Sequence, residues 1–227
     1  MMQSKERMVQ DFFLGTLLIQ PVLFTILTVG LYLYGQKPDL GLFAIIGTGL
    51  IAVWNNNLWS SGEILTHERQ SGTLPLVLAS PTALPIILLG KSFANAVTSI
   101  LAMGVTFATG ALVFQIPVGI ERPLEFILGL TLTVAALTSM GLVLGTIFVL
   151  TRHRLIMNVA NYPIYLLSGL TVPLTLLPFW IRPLSSMLAP TWGNIILNQA
   201  AGVLTGSRLP TYIWLIGLTV FYLLVAN

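Results

Sequence analysis

Hydrophobic residues in this chain run in long unbroken blocks, and charged residues stand singly or in small groups between them. The charge-free blocks cover residues 12–36, 40–62, 70–90, 92–120, 126–151, 155–181, 183–207 and 209–227. An α-helix rises 1.5 Å per residue, so about 20 apolar residues cross the hydrocarbon layer of a bilayer. A charge at the centre of such a helix costs about 2.5–3.5 kcal/mol, so charges mark where spans end. Almost every block is long enough, and composition decides among them. Block 70–90 holds Pro75, Pro81 and Pro85 with Ser71, Gly72, Thr73, Ser80 and Thr82 between them. Each proline removes a backbone donor where lipid offers no replacement. Block 183–207 carries Pro183, Pro190, Asn194, Asn198 and Gln199 among short apolar runs. It reads as a broken segment, partly re-entrant or interfacial. Six spans remain, at about 12–34, 41–61, 84–114, 124–150, 156–178 and 210–226. The expected fold class is an all-α membrane protein, with a single transmembrane domain over residues 1–227.

Composition agrees. Asp, Glu, Lys and Arg make up 7% of 227 residues, against about 25% in soluble domains. Hydrophobic residues make up 56%, and the mean hydropathy is +0.91. The net charge of +3 comes from 10 basic and 7 acidic residues with no basic run, which removes the electrostatic case for a nucleic-acid partner. Cysteine is absent and histidine occurs twice, so neither a disulfide framework nor a metal site is expected.

Lys5 and Arg7 precede the first apolar run as in a signal peptide, but the run from Phe12 to Gln36 is too long for one. A retained first helix is expected. An even number of spans puts both termini on one side. With the termini cytoplasmic, Lys5, Arg7, Arg69, Lys91, Arg152 and Arg154 lie inside, and Lys37, Arg122, Arg182 and Arg208 lie outside. This balance favours that orientation, and Arg152-His153-Arg154 is its main anchor. The last span ends at Asn227 without a cationic anchor, which leaves room for a chain that continues.

The most polar stretch after the N-terminus follows the second span. Glu63, His67, Glu68 and Arg69 gather there, ahead of Gly72, Thr73 and Pro75. Residues 63–70 can form a short helix stopped by Gly72, since glycine suits the position past a helix end. On physical grounds alone, a solvated connecting loop accounts for this stretch equally well.

Glu68-Arg69-x-x-Gly72-Thr73-Leu74, followed by Leu76, Leu78, Ser80-Pro81 and Gly90-Lys91, resembles the loop between spans two and three of ABC-2 type permeases. These are membrane subunits of ATP-binding-cassette exporters. A second likeness lies in Pro173, Leu177-Pro178-x-Trp180 and Ala189-Pro190-Thr191-Trp192, which resemble the family's segment between spans five and six. The resemblance covers nearly the whole chain. It implies a cytoplasmic coupling helix at residues 63–73, in which Glu63, His67, Glu68, Arg69, Gly72 and Thr73 contact an ATPase subunit. It also implies re-entrant helices before the last span, two ATPase copies that bind the ATP and magnesium, and a second permease copy. The chain itself would hold no cofactor and catalyse no reaction. The expected setting is the plasma membrane of a bacterium or archaeon, and the expected cargo is amphipathic or hydrophobic: a drug, antibiotic, lipid or peptide. Two departures stand out. Pro75 occupies a position usually acidic in the family, and about eleven residues precede the first span where an amphipathic surface helix is common.

Other features carry less. Gly90-Lys91-Ser92 resembles a phosphate-binding loop, but the required earlier glycine is Pro85 and the intervening residues are apolar. His67-Glu68 lacks the second histidine of a metalloprotease helix. Asn55, Asn56 and Asn57, between Trp54 and Trp59, are the most polar point inside any span. Amides in hydrocarbon need partners, so these bridge helices or line a substrate path. Gly141-x-x-x-Gly145 allows two helices to approach closely. Trp180 and Trp192 read as interfacial anchors, and Arg182 as a side chain that reaches the outer headgroups. Two alternatives compete with the permease reading. An intramembrane enzyme acting on lipid needs ionisable groups at membrane depth, such as His67 and His153 beside an acid. An ATP-independent transporter or channel predicts buried carboxylates or inverted repeats.

Overall fold

The computed structural model describes residues 19–37, 40–70, 84–151 and 154–226. Within these, side chains of 58–70, 84–89, 91–97, 145–151, 154–160 and 226 lie outside the description. The described chain is all-helical, with no strand. Its helices are α1 (Gln20–Tyr34), α2 (Gly41–Gln70), α3 (Leu84–Val113), α4 (Pro123–Thr151), α5 (Arg154–Leu167), α6 (Arg182–Ser186), α7 (Ala189–Ala200) and α8 (Arg208–Ala226). A 3₁₀ turn spans Leu174–Leu176. Two stretches, Pro123–Leu144 and Arg208–Val225, are long and apolar enough to cross a bilayer, and Gln20–Tyr34 and Thr98–Val113 are shorter apolar helices.

Helix α2 is the centre of the bundle. It packs most extensively on α3 and α4, and also against α1 and α7. Phe43, Ile45, Ile46, Leu50, Ile51 and Trp54 are almost wholly excluded from solvent. Close approach rests on glycine. A methyl group on Gly110 of α3 would overlap Ile45, one on Gly193 of α7 would overlap Thr133 of α4, and one on Gly129 of α4 would overlap Ile196. Gly141 is buried in α4, while the surroundings of Gly145 lie outside the description. By contrast only 11% of Arg208–Val225 in α8 is buried, on the flank of the bundle.

One end of the bundle forms a rim. Arg122 N–H donates to the Ala200 carbonyl at 3.1 Å, and Arg208 Nη1 contacts both Glu125 oxygens at 2.9 and 2.7 Å. Gly41, at the start of α2, packs on Ile116 in the same region. Helix α2 therefore starts at the rim and ends, at Gln70, on the opposite side of the bundle.

Two expected boundaries shift. The fifth helix stops at Leu167, short of the expected 178. Gly169, at φ +75, closes it: Gly169 N–H donates to Leu166 O and Leu170 N–H to Tyr165 O. This glycine-capped end satisfies the last carbonyls and reverses the chain. Helix α7 ends the same way on Gly202, at φ +81, with Gly202 and Val203 donating to the Gln199 and Asn198 carbonyls. The second shift is in α2. Residues 63–70 are helical, but they continue the helix from Gly41 without a break, and form no separate short helix.

Candidate functional site

Asn55, Asn56 and Asn57 are consecutive, and successive helical residues point about 100° apart. They therefore reach three different neighbours. Asn55 Oδ1 accepts the hydroxyl of Tyr165 in α5. Asn56 Nδ2 donates to Thr98 Oγ1 at 2.9 Å and Ser99 Oγ at 3.0 Å in α3. Asn57 Oδ1 accepts from Thr138 Oγ1 of α4 at 3.4 Å. One residue earlier, Trp54 Nε1 donates to Asn161 Oδ1 of α5 at 3.1 Å. Residues 54–57 thus form a polar belt joining α2 to α3, α4 and α5. It lies 13–16 residues from Gly41, about 20–24 Å along the helix.

Of the two readings of the asparagines, the described conformation displays bridging between helices. The partners Asn161 and Tyr165 were not singled out in sequence, although a signal existed. They are four residues apart and so share one helix face.

A second polar ladder climbs from the belt toward the rim. Asn194 Nδ2 donates to the Gly169 carbonyl at 2.7 Å, and Asn198 Nδ2 donates to Asn194 Oδ1 at 2.8 Å. Both asparagines are buried. Helix α7 runs antiparallel to α4, since Gly193 meets Thr133, Ile196 meets Gly129 and Ala200 meets Arg122. Trp192 stacks on Trp214 of α8, centroids 5.6 Å apart and planes 7° apart. Its Nε1 donates to Ser186 O at 2.8 Å. The segment between α5 and α8 is therefore broken into short pieces folded back into the bundle, as its prolines and amides predict.

Glu63, His67, Glu68 and Arg69 all lie in the last turns of α2, with their side chains outside the description. Gly72, Thr73 and Pro75 lie outside the described residues, as does His153. Among the described residues, no group of three or more His, Asp or Glu side chains is placed to hold a metal ion.

Comparison with family models gives a match to the ABC-2 type transporter description over residues 1–201. The chain belongs to the ABC-2 type transporter family. No curated protein sequence matches it. The family supplies membrane transport subunits, not themselves catalytic, that generally partner with an ATP-binding-cassette subunit. The ABC-2 assignment and the apolar helices together make this a membrane protein, and the resemblance read from the two loop segments is the family found.

Proposed function

We propose that this ABC-2 permease is the membrane half of an ATP-driven exporter for an amphipathic or hydrophobic cargo, working as a pair of permeases with two ATPase subunits that bind ATP and magnesium. The observation that carries the reading is the length of α2. Its 30 residues extend about 45 Å, whereas the hydrocarbon layer is about 30 Å thick. The excess, about 15 Å, falls at the end holding Glu63, His67, Glu68 and Arg69, where ionic side chains can meet a partner in water. We assign residues 63–73, including Gly72 and Thr73, to the contact with the ATPase.

The mechanism follows from one rigid element carrying two sites. ATP shifts the permease between conformations only by binding one of them better. A displacement of the projecting turns is carried along α2 to the belt at Asn55–Asn57. There the hydrogen bonds to α3, α4 and α5 exchange as the helices separate, and the freed amides face the path. The broken segment 173–200 forms the re-entrant cover below the rim, on the side facing out of the cell, with both termini cytoplasmic.

The test is purification of the chain with its ATPase in lipid nanodiscs. Charge reversal by Glu68→Lys is expected to leave the complex folded but abolish stimulation of hydrolysis by cargo. Unchanged coupling after reversal at both Glu63 and Glu68 would remove the contact from this helix end.

A further inference from the structure

Arg182 is the only charged residue between Arg154 and Arg208, and it stands at the start of α6, exposed on the bundle flank. Its position relative to the rim follows from fixed contacts. The carbonyls of Ser185 and Ser186 accept hydrogen bonds from Thr191 Oγ1 at 2.7 Å and Trp192 Nε1 at 2.8 Å. The Met187 carbonyl accepts the Tyr222 hydroxyl at 2.7 Å. Thr191 and Trp192 precede Ala200 by nine and eight residues, and Tyr222 follows Arg208 by fourteen. At 1.5 Å per residue, the end of α6 lies about 12–21 Å inward from the rim. The guanidinium itself is held near Thr175, whose carbonyl accepts from Nη2 at 3.4 Å. The neighbouring Leu174 packs on Gly169, which is bound to Asn194, six residues and about 9 Å inside Ala200.

Through Thr175, Leu174 and Gly169 the charge is thus tied to the level of Asn194, about 9 Å inside Ala200. That single long bond to a carbonyl is its protein hydrogen bond, and among the described residues it has no ion-pair partner. Next to it along the chain, Phe179 and Trp180 are 81% and 69% exposed, and Leu184 and Met187 are also open. A cation facing outward at such depth is expensive unless an anion meets it. A guanidinium fork matches phosphate or carboxylate through paired N–H bonds. Bare aromatic and aliphatic surface beside it suits acyl chains, not water.

We propose that Arg182, with Phe179 and Trp180, is a receptor for the headgroup of an anionic phospholipid drawn from the leaflet at the rim. The guanidinium holds the phosphate below its usual level, and the aromatic pair receives the upper part of the acyl chains. The site needs no ATPase, so it stands or falls separately from the transport reading.

Trp180 lies two residues from the charge and reports on it. The full chain is reconstituted in vesicles of phosphatidylcholine with brominated phosphatidylglycerol or, at equal mole fraction, brominated phosphatidylcholine. Trp180 quenching is the difference between the wild type and Trp180→Phe. Quenching by the anionic lipid is expected to exceed that by the zwitterionic one severalfold. Arg182→Gln should equalise the two, and Arg182→Lys should keep part of the preference, which separates loss of charge from loss of fold. Equal quenching in the wild type, or a preference that survives Arg182→Gln, overturns the site. Inorganic phosphate added to the brominated phosphatidylglycerol vesicles, against chloride at equal ionic strength, should leave the preference intact. If it removes the preference, the ligand is a free anion and the lipid assignment falls.

Discussion

Gly47 of α2 is packed so closely on the chain turn after α5 that a methyl group there would overlap the carbonyl oxygen of Leu170, well inside the 3.4 Å of ordinary van der Waals contact. The obstacle is backbone, and it belongs to the capped end formed by Gly169 and Leu170, so no side-chain rotation relieves it. Gly47→Ala must push α2 away from this turn by roughly an ångström. Overpacking of a fitted core costs about 1–3 kcal/mol, and the better helix propensity of alanine returns about 0.5–1 kcal/mol. A net loss of up to about 2.5 kcal/mol is expected. Gly104 of α3 provides the control, because a methyl group there meets nothing within 4 Å. Gly104→Ala should be neutral or stabilising by up to about 1 kcal/mol. Reversible unfolding of both variants in mixed micelles, followed by circular dichroism, measures the difference. If Gly47→Ala were as stable as Gly104→Ala, the turn at Leu170 would not be seated against α2 as described.

Three further outcomes follow from the same contacts. In a double-mutant cycle, Trp54→Phe and Asn161→Leu should couple by about 0.6–1.7 kcal/mol, the range for hydrogen bonds between helices in membranes; additivity within about 0.3 kcal/mol would deny the bond. Gln36 ends α1 at φ +55, a left-handed conformation that costs a side-chain residue about 1–2 kcal/mol, so Gln36→Gly should raise stability on the same unfolding assay. Arg208 and Glu125 are 34% and 37% exposed; Arg208→Gln should cost less than about 1 kcal/mol because solvent screens the pair, and a larger loss would mean the rim is drier than described.

Much of the helical pattern was legible because charges are too costly inside a span to be placed there at random. Glu121, Glu125 and Arg208 fall within two residues of helix starts, while Glu63 and Lys91 lie seven residues inside the ends of α2 and α3. The proline and amide content of 183–207 correctly announced short pieces. The end of α5 was misplaced because the apolar run continues through Leu170 and Val172, and hydropathy is blind to backbone handedness. The glycine at 169 with a proline four residues later was the available stop signal. The unbroken α2 was hidden for the converse reason: Gly62 and the charges after it look like a boundary, yet a glycine inside a helix costs only about 1 kcal/mol. In the belt, the polarity of Asn55–Asn57 was visible, but their partners depend on which helices flank α2. That is a tertiary fact. Only the four-residue spacing of Asn161 and Tyr165 hinted at a shared face.

The continuity of α2 has a mechanical consequence. An unbroken α-helix without proline tilts largely as one body, and the belt at residues 54–57 falls close to its midpoint, between Gly41 and Gln70. Until the belt hydrogen bonds exchange, they hold it there from three sides, and the helix behaves as a seesaw on a fulcrum. A sideways nudge of a few ångströms at Gln70 would return a swing of similar size, in the opposite direction, at Gly41 beside the Ile116 loop. Inserting a hinge, as in a Gly-Pro pair at Ser60-Ser61, would let one arm move while the other stayed still.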